Sequence, residues 1–306
     1  MKPCPSAHEL GPAIDGKCRR WKPSGHEPGR LCFYCADRRS GRSLVLMHDL
    51  RATSTAYEVR PLFESFRWRR PTFAVDLPGF GLSNGFQPPC APARSATLLG
   101  ELFQQLRRGD LPLDLLTLGR SSVLAARVAR DEPGLVRSIV MLQPSCLVAE
   151  RGALLESLGE WLENWLGERA ARPFFALSST RPLVRHSLRA RFRGPADEGL
   201  VAYTQANAQA PDVRRARLAA IAQRSSAGEA SCLYRALTVP VLVVHDARGS
   251  RGAELEAFLH SRHDRFALRM SSARGMPHFE RPLETTAALE RFWQSLPRAA
   301  FERAMR

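Results

Sequence analysis

Residues 115–129 read L-L-T-L-G-R-S-S-V-L-A-A-R-V-A. A continuous apolar run stops at Gly119, three polar residues follow, and apolar residues then recur at helical spacing. A short buried strand running through a tight turn into a helix is the predicted structure. Such an elbow can push a hydroxyl into a cleft and aim helix N–H groups at a developing negative charge. Ser121 is the candidate hydroxyl. The turn reads G-R-S-S-V from Gly119 to Val123, so it lacks the second glycine of G-x-S-x-G, and Val123 stands in its place.

Working outward, strands are predicted at 31–36, 43–47, 72–76, 114–118, 138–142, 239–245 and 266–270. Several are unbroken apolar runs, such as L-V-L-M and P-V-L-V-V, that suit a parallel sheet covered on both faces. Helices are predicted between them at 55–66, 96–107, 122–131, 254–260 and 283–295. The alternation predicts an α/β fold with an open, mostly parallel central sheet and helices on both faces. Residues 1–30, rich in proline and glycine, read as an irregular N-terminal arm. The core is then expected over 31–145 and 238–298, with a short tail at 299–306. Residues 146–237 contain helical stretches near 153–166, 183–192, 198–208 and 212–224 and no strong strand, so a helical cap over the cleft is expected. Trp161 and Trp165, four apart, share a helix face, with core packing or the underside of the cap as the two placements.

With 306 residues, of which 44% are hydrophobic, the chain can bury a large core. No apolar run approaches the ~20 residues of a membrane span, and no hydrophobic leader is visible, so a cytoplasmic protein is expected. The net charge of +15 invites a nucleic-acid reading. Against it, the three lysines all fall in the first 22 residues and the arginines are dispersed along the chain. A solvated basic surface without a specific nucleic-acid partner is expected. The seven cysteines, an odd number, do not form a secreted disulfide framework. Cys32 and Cys35 lie in one strand with side chains on opposite faces. Cys4 and Cys18 would have to join them in a zinc site that has only one C-x-x-C pair, so ordinary thiols are expected. No phosphate loop, dinucleotide fingerprint or H-E-x-x-H set occurs, and His260 with His263 lacks a third ligand. No metal and no cofactor are expected.

Four segments, in order, resemble the α/β-hydrolase fold family, in particular members with a helical cap. They are L-V-L-M-H-D-L ending at Leu50, F-A-V-D-L-P-G-F-G-L-S from Phe73 to Ser83, the elbow around Ser121, and V-P-V-L-V-V-H ending at His245 with the later G-M-P-H-F-E-R-P from Gly275 to Pro282. The resemblance covers about 31–293. It implies a serine hydrolase of small esters or related acyl compounds, with Ser121 as nucleophile and an oxyanion site built from Ser122 and from the backbone around Asp49 and Leu50. His48, Arg120 and His245 are expected to line the substrate site.

The same resemblance leaves the catalytic set incomplete. The family's usual acid aligns with Gly249 and its usual base with Gly275. Three accounts stay open at this point. His278 and Asp246 serve as base and acid; Ser121 works with His245 or His48; or the cleft binds a small molecule or partner without turnover. Asp49, where the family has a small residue, places an anion beside the oxyanion site unless it turns away or pairs with an arginine such as Arg51 or Arg120. Substrate identity and oligomeric state are not legible.

Overall fold

The computed structural model describes residues 10–24, 29–36, 40–83, 86, 90–145, 147, 179–210, 220, 225–246 and 252–297. Eight strands form one sheet: β1 (Lys17–Trp21), β2 (Leu31–Cys35), β3 (Leu44–Met47), β4 (Thr72–Val75), β5 (Leu113–Leu118), β6 (Val136–Leu142), β7 (Val241–Asp246) and β8 (Arg265–Met270). Their spatial order is β1-β2-β4-β3-β5-β6-β7-β8. From β4 to β8 every pairing is parallel, whereas β1 and β2 enter antiparallel. The strands expected from the sequence all form. β1 is a correction, because Lys17–Trp21 lies in the stretch read as irregular and instead pairs along its whole length with β2.

Helices are α1 (Arg60–Phe66, entered through a 3-10 turn at Ala56–Val59), α2 (Pro92–Leu106), α3 (Ser121–Asp131), α4 (Arg181–Arg189), α5 (Glu198–Gln209), α6 (Ala227–Ala236), α7 (Gly252–His260), α8 (Pro277–Glu280) and α9 (Pro282–Ser295). In the described part of the insert, α4 and α5 fall on the helical stretches expected near 183–192 and 198–208, whereas α6 was not expected. Trp161, Trp165 and most of the helix expected at 212–224 lie outside the described residues.

Strand β5 shows why continuous apolar runs appear. Leu113 and Leu115 pack into the layer that holds α2 and α3, while Leu116 and Leu118 pack into the layer that holds α1 and α9. With both faces covered, no position is left for a solvated residue. After β4, the Asp76 carboxylate accepts from the Ala56 and Leu82 amides at 2.8 and 3.0 Å. Gly79 and Gly81 turn through positive φ there (87° and 51°). A side chain at Gly81 would meet that carboxylate at 2.4 Å, so glycine is required twice over.

The N-terminal end of the sheet is closed by a buried ion cluster. Asp114 accepts from Ser138 Oγ at 2.7 Å and pairs with Arg70 and Arg137. Removing this buried carboxylate leaves two largely buried guanidiniums uncompensated. Asp114→Ala should therefore lower unfolding free energy by about 3 kcal/mol in urea titration, with α/β circular dichroism retained.

Candidate functional site

The C-terminal ends of β3, β5, β6 and β7 converge on one cleft, the edge where open α/β sheets place ligands. Asp49 follows β3, Gly119 and Arg120 follow β5, Gln143 follows β6, and Asp246 ends β7. Arg191 follows α4, and Arg274 and Gly275 follow β8. Together with Arg51 these residues surround about 50 Å³ of open space.

The elbow is formed, but its apex is not Ser121. Gly119 carries the left-handed backbone (φ 53°), and α3 begins two residues later at Ser121. The Ser121 hydroxyl turns back into the sheet. It donates to the Leu118 carbonyl at 2.9 Å and accepts from the Leu118 amide at 3.2 Å. It is fully buried, with its proton and one of its two lone pairs engaged by Leu118. Ser122 does not supply the expected cleft donor, because its amide bonds the Gly119 carbonyl at 3.4 Å and its hydroxyl pairs with Thr117 Oγ1 at 2.8 Å. Val123 packs into the core beneath the helix.

Two converging donors do exist, the expected Leu50 amide and, two residues before Ser122, the amide of Arg120. The amides of Leu50 and Arg120 point to one place, and Oδ1 of Asp49 fills it, at 2.8 and 2.9 Å. Oδ2 accepts from Arg51 Nε at 3.0 Å and lies 3.8 Å from Arg191 Nη2. The Asp49 amide is not a cleft donor, since it bonds Glu58 Oε2 at 3.0 Å. Burial works to neutralise this carboxylate, but Arg51, Arg120 and Arg191 outweigh it and hold Asp49 far below the usual carboxylate range. Asp49 is thus an ionised group held by two backbone amides and a guanidinium. A β-carbon at Gly119 would lie 2.5–2.7 Å from the same carboxylate, so no side chain fits the apex while Asp49 stays.

Behind this anion runs a buried network. Arg191 Nη1 donates to Glu58 Oε1 at 2.6 Å, and Ser54 Oγ donates to the same oxygen at 3.1 Å. Gln143, the only non-glycine residue with positive φ among those described (52°), sends Nε2 to the Arg274 carbonyl at 3.4 Å. Backbone strain of this kind collects at ligand-facing positions.

The expected histidines are placed as structural links. His48 Nε2 accepts from the Leu77 amide at 3.0 Å, which leaves Nδ1 to donate to the Asp49 carbonyl at 2.6 Å. His245 Nδ1 lies 2.9 Å from the Asp246 carbonyl, and neither ring lines the cleft. His278 is fully buried and donates from Nε2 to the Glu58 carbonyl at 2.6 Å, while its Nδ1 has no partner among the described residues. Burial, with Arg191 nearby, pulls its pKa down to about 4 despite the Glu58 carbonyl. Of the expected catalytic residues, Asp246 alone lines the cleft. Gly275 also lines it, and a β-carbon there would lie 3.3 Å from the Arg191 carbonyl. Gly249 lies outside the described residues. Among the described residues no group of three His, Cys, Asp or Glu side chains could hold a metal ion. No described helix is long and apolar enough to cross a membrane.

The sequence reading missed Gly119 as the apex, along with Arg191, Glu58, Gln143 and Arg274. A signal existed for Gly119: it directly follows the predicted strand, and T-L-G-R-S places small residues two positions either side of it. Pairing of Asp49 with Arg51 was among the expected outcomes.

No family model matches the sequence, and no curated protein matches it. Solved structures do. One is a serine hydrolase involved in carbazole degradation (the CarC enzyme), 14% identical, with 90% of this chain and 98% of that one covered at a TM-score of 0.68. A second is 2-hydroxy-6-oxo-6-phenylhexa-2,4-dienoate hydrolase from Rhodococcus sp. strain RHA1, 15% identical, covering 91% and 98% at 0.70. A third is the epoxide hydrolase CorEH, 18% identical, covering 92% and 99% at 0.70. At these identities the likeness fixes the fold and leaves the chemistry to the site.

Two outcomes follow from the geometry. His278 is neutral in the fold but protonates readily when exposed, so the unfolded chain binds the extra proton between about pH 6.5 and 4. Stability should fall with acidification across that window, by up to about 3 kcal/mol, and His278→Gln should flatten the dependence in denaturant titrations at stepped pH. Asp49→Ala should cost on the order of 3 kcal/mol because it strands Arg51, Arg191 and two amides. Millimolar formate or acetate should raise the melting temperature of this variant more than that of wild type.

Proposed function

We propose that this chain, a protein of the α/β-hydrolase fold, performs no acyl transfer and uses its cleft to hold a small anionic ligand, of the size of a carboxylate or phosphate head. The observation that carries the reading is the Asp49 carboxylate seated between the Leu50 and Arg120 amides. A tetrahedral oxyanion formed in that place would have to displace a carboxylate that is already ionised, or sit against it. Either repels the charge that such donors serve to stabilise.

The other requirements of nucleophilic catalysis fail independently. The residue at the elbow apex is a glycine without a hydroxyl, and the Ser121 proton is committed to Leu118. A base must reach the nucleophile within hydrogen-bond distance, and His278 is buried away from the cleft lining, with its Nε2 on the Glu58 carbonyl and the Ser121 hydroxyl bonded to Leu118 instead. The reading of Ser121, His278 and Asp246 as a triad would require the elbow and the start of α8 to rearrange together.

The ligand class is argued from charge. Arg51, Arg120, Arg191 and Arg274 line the cleft against two acids, Asp49 and Asp246. Even with Glu58 counted behind Arg191, cations exceed anions. Planar guanidiniums suit carboxylate and phosphate oxygens, which they can grip with two parallel bonds.

The test has two arms. Wild type should resist a fluorophosphonate probe and leave short-chain p-nitrophenyl esters intact. Labelling at Ser121, or hydrolysis abolished by Ser121→Ala, would overturn the non-catalytic reading. Separately, titration with small mono- and dicarboxylates and with inorganic phosphate should give saturable, salt-weakened binding that drops about tenfold or more in Arg120→Gln and Arg274→Gln. Silent esters together with absent anion binding would retain the first half of the proposal and remove the second.

A further inference from the structure

The antiparallel register of β1 and β2 sets Cys18 opposite Tyr34 and Cys32 opposite Arg20. Cys18 and Cys32 are therefore diagonal neighbours on one face of the sheet, while Cys35 lies on the other face, as its odd spacing predicts. The two sulfurs stand 2.9 Å apart. A disulfide bond is about 2.05 Å long, so the pair needs less than about 1 Å of closure to bond. Neither cysteine belongs to the cleft.

The surroundings divide the two roles. Cys32 is fully buried, and its backbone is pinned to the turn after β4: its amide donates to Ser83 Oγ at 2.8 Å, and that hydroxyl donates to the Asp76 carbonyl at 2.6 Å. Cys18 is half-buried and sits on β1, the outermost strand, which among the described residues pairs only with β2. Cys18 is the sulfur that solvent can reach, and the edge strand is the element that can shift to close the gap.

We propose that Cys18 and Cys32 form a reversible thiol–disulfide modification site whose oxidant is a hydroperoxide. With hydrogen peroxide, the Cys18 sulfur attacks one peroxide oxygen, the O–O bond breaks, and Cys18 becomes a sulfenic acid as one water leaves. The Cys32 sulfur then attacks the sulfenyl sulfur. The S–S bond forms, the S–O bond breaks, and hydroxide departs with the Cys32 proton as a second water. Two thiols lose two electrons and two protons in all, and one peroxide is reduced to two waters. A dithiol reverses the change by exchange. The product ties the edge strand covalently to the sheet and restricts the unfolded chain more than the folded one.

The full chain is treated with stoichiometric hydrogen peroxide and mapped by non-reducing peptide mass spectrometry. A Cys18–Cys32 cross-linked peptide, 2 Da lighter than its two reduced halves combined, is expected in wild type and in Cys35→Ser. Oxidation should raise the melting temperature by about 4 °C or more, a gain absent from Cys18→Ser and reversed by dithiothreitol. In Cys32→Ser, Cys18 should be trapped as a sulfenic acid by dimedone. If that variant does not fold, Cys18→Ser and Cys35→Ser decide the matter alone. Over-oxidation of Cys18 to sulfinic acid in wild type without a cross-link, or cross-linking of Cys18 to any other cysteine, overturns the proposal.

Discussion

The carboxylate of Asp49 organises the molecule around it. It satisfies two backbone amides from different loops, neutralises Arg51 and draws in Arg191. Through Arg191 it reaches Glu58, and the Glu58 carbonyl holds His278 at the start of α8. Through its own carbonyl it holds His48, whose other nitrogen fixes the turn after β4. Five segments distant in sequence thus meet around one buried charge, through bonds to its carboxylate and through the backbone carbonyls of Asp49 and Glu58. The requirement for glycine at 119 follows from it, since the carboxylate occupies the volume a side chain would take.

Such a network has to overcome desolvation. Taking Asp49, Glu58, Arg51 and Arg191 out of water opposes folding, and only dense mutual pairing offsets it. The pairing is dense here: both Asp49 oxygens and both Glu58 oxygens carry donors. Arginine suits the task better than lysine because its fork serves two acceptors at once, as Arg191 does between Glu58 and Asp49. The fold accordingly spends part of its arginine excess inside, at Asp49 and at Asp114, rather than on a continuous basic face.

Most of the architecture was legible in the sequence. The apolar runs at β3, β5, β6 and β7 announce strands covered on both sides, and the helical periodicity between them supplies the crossovers. β1 was not legible, because K-C-R-R-W has no apolar alternation and takes its structure from pairing with β2. The site was legible only in outline. The Asp49–Arg51 pair is local and could be anticipated. Arg191 approaches from 133 residues beyond Glu58, and no local pattern encodes such a meeting. Ser121 misled for a physical reason: serine is as well suited to a helix start and to bonding a strand end as to nucleophilic attack. Chain frame, not residue type, separates these roles, and the frame is set by which residue has positive φ.

The same two amides can serve a transient oxyanion or a permanent carboxylate, and only occupancy distinguishes the outcomes. Asp49 is tethered one residue from the Leu50 amide, so its effective concentration at the donors far exceeds that of any dissolved anion. Free carboxylates therefore do not displace it at ordinary concentrations. A ligand must instead use the outer positive charge, chiefly Arg120, Arg191 and Arg274, which the Asp49 charge compensates only in part. The filled donor pair is thus a structural keystone, and the ligand proposed for this cleft is expected at the arginine rim beyond it.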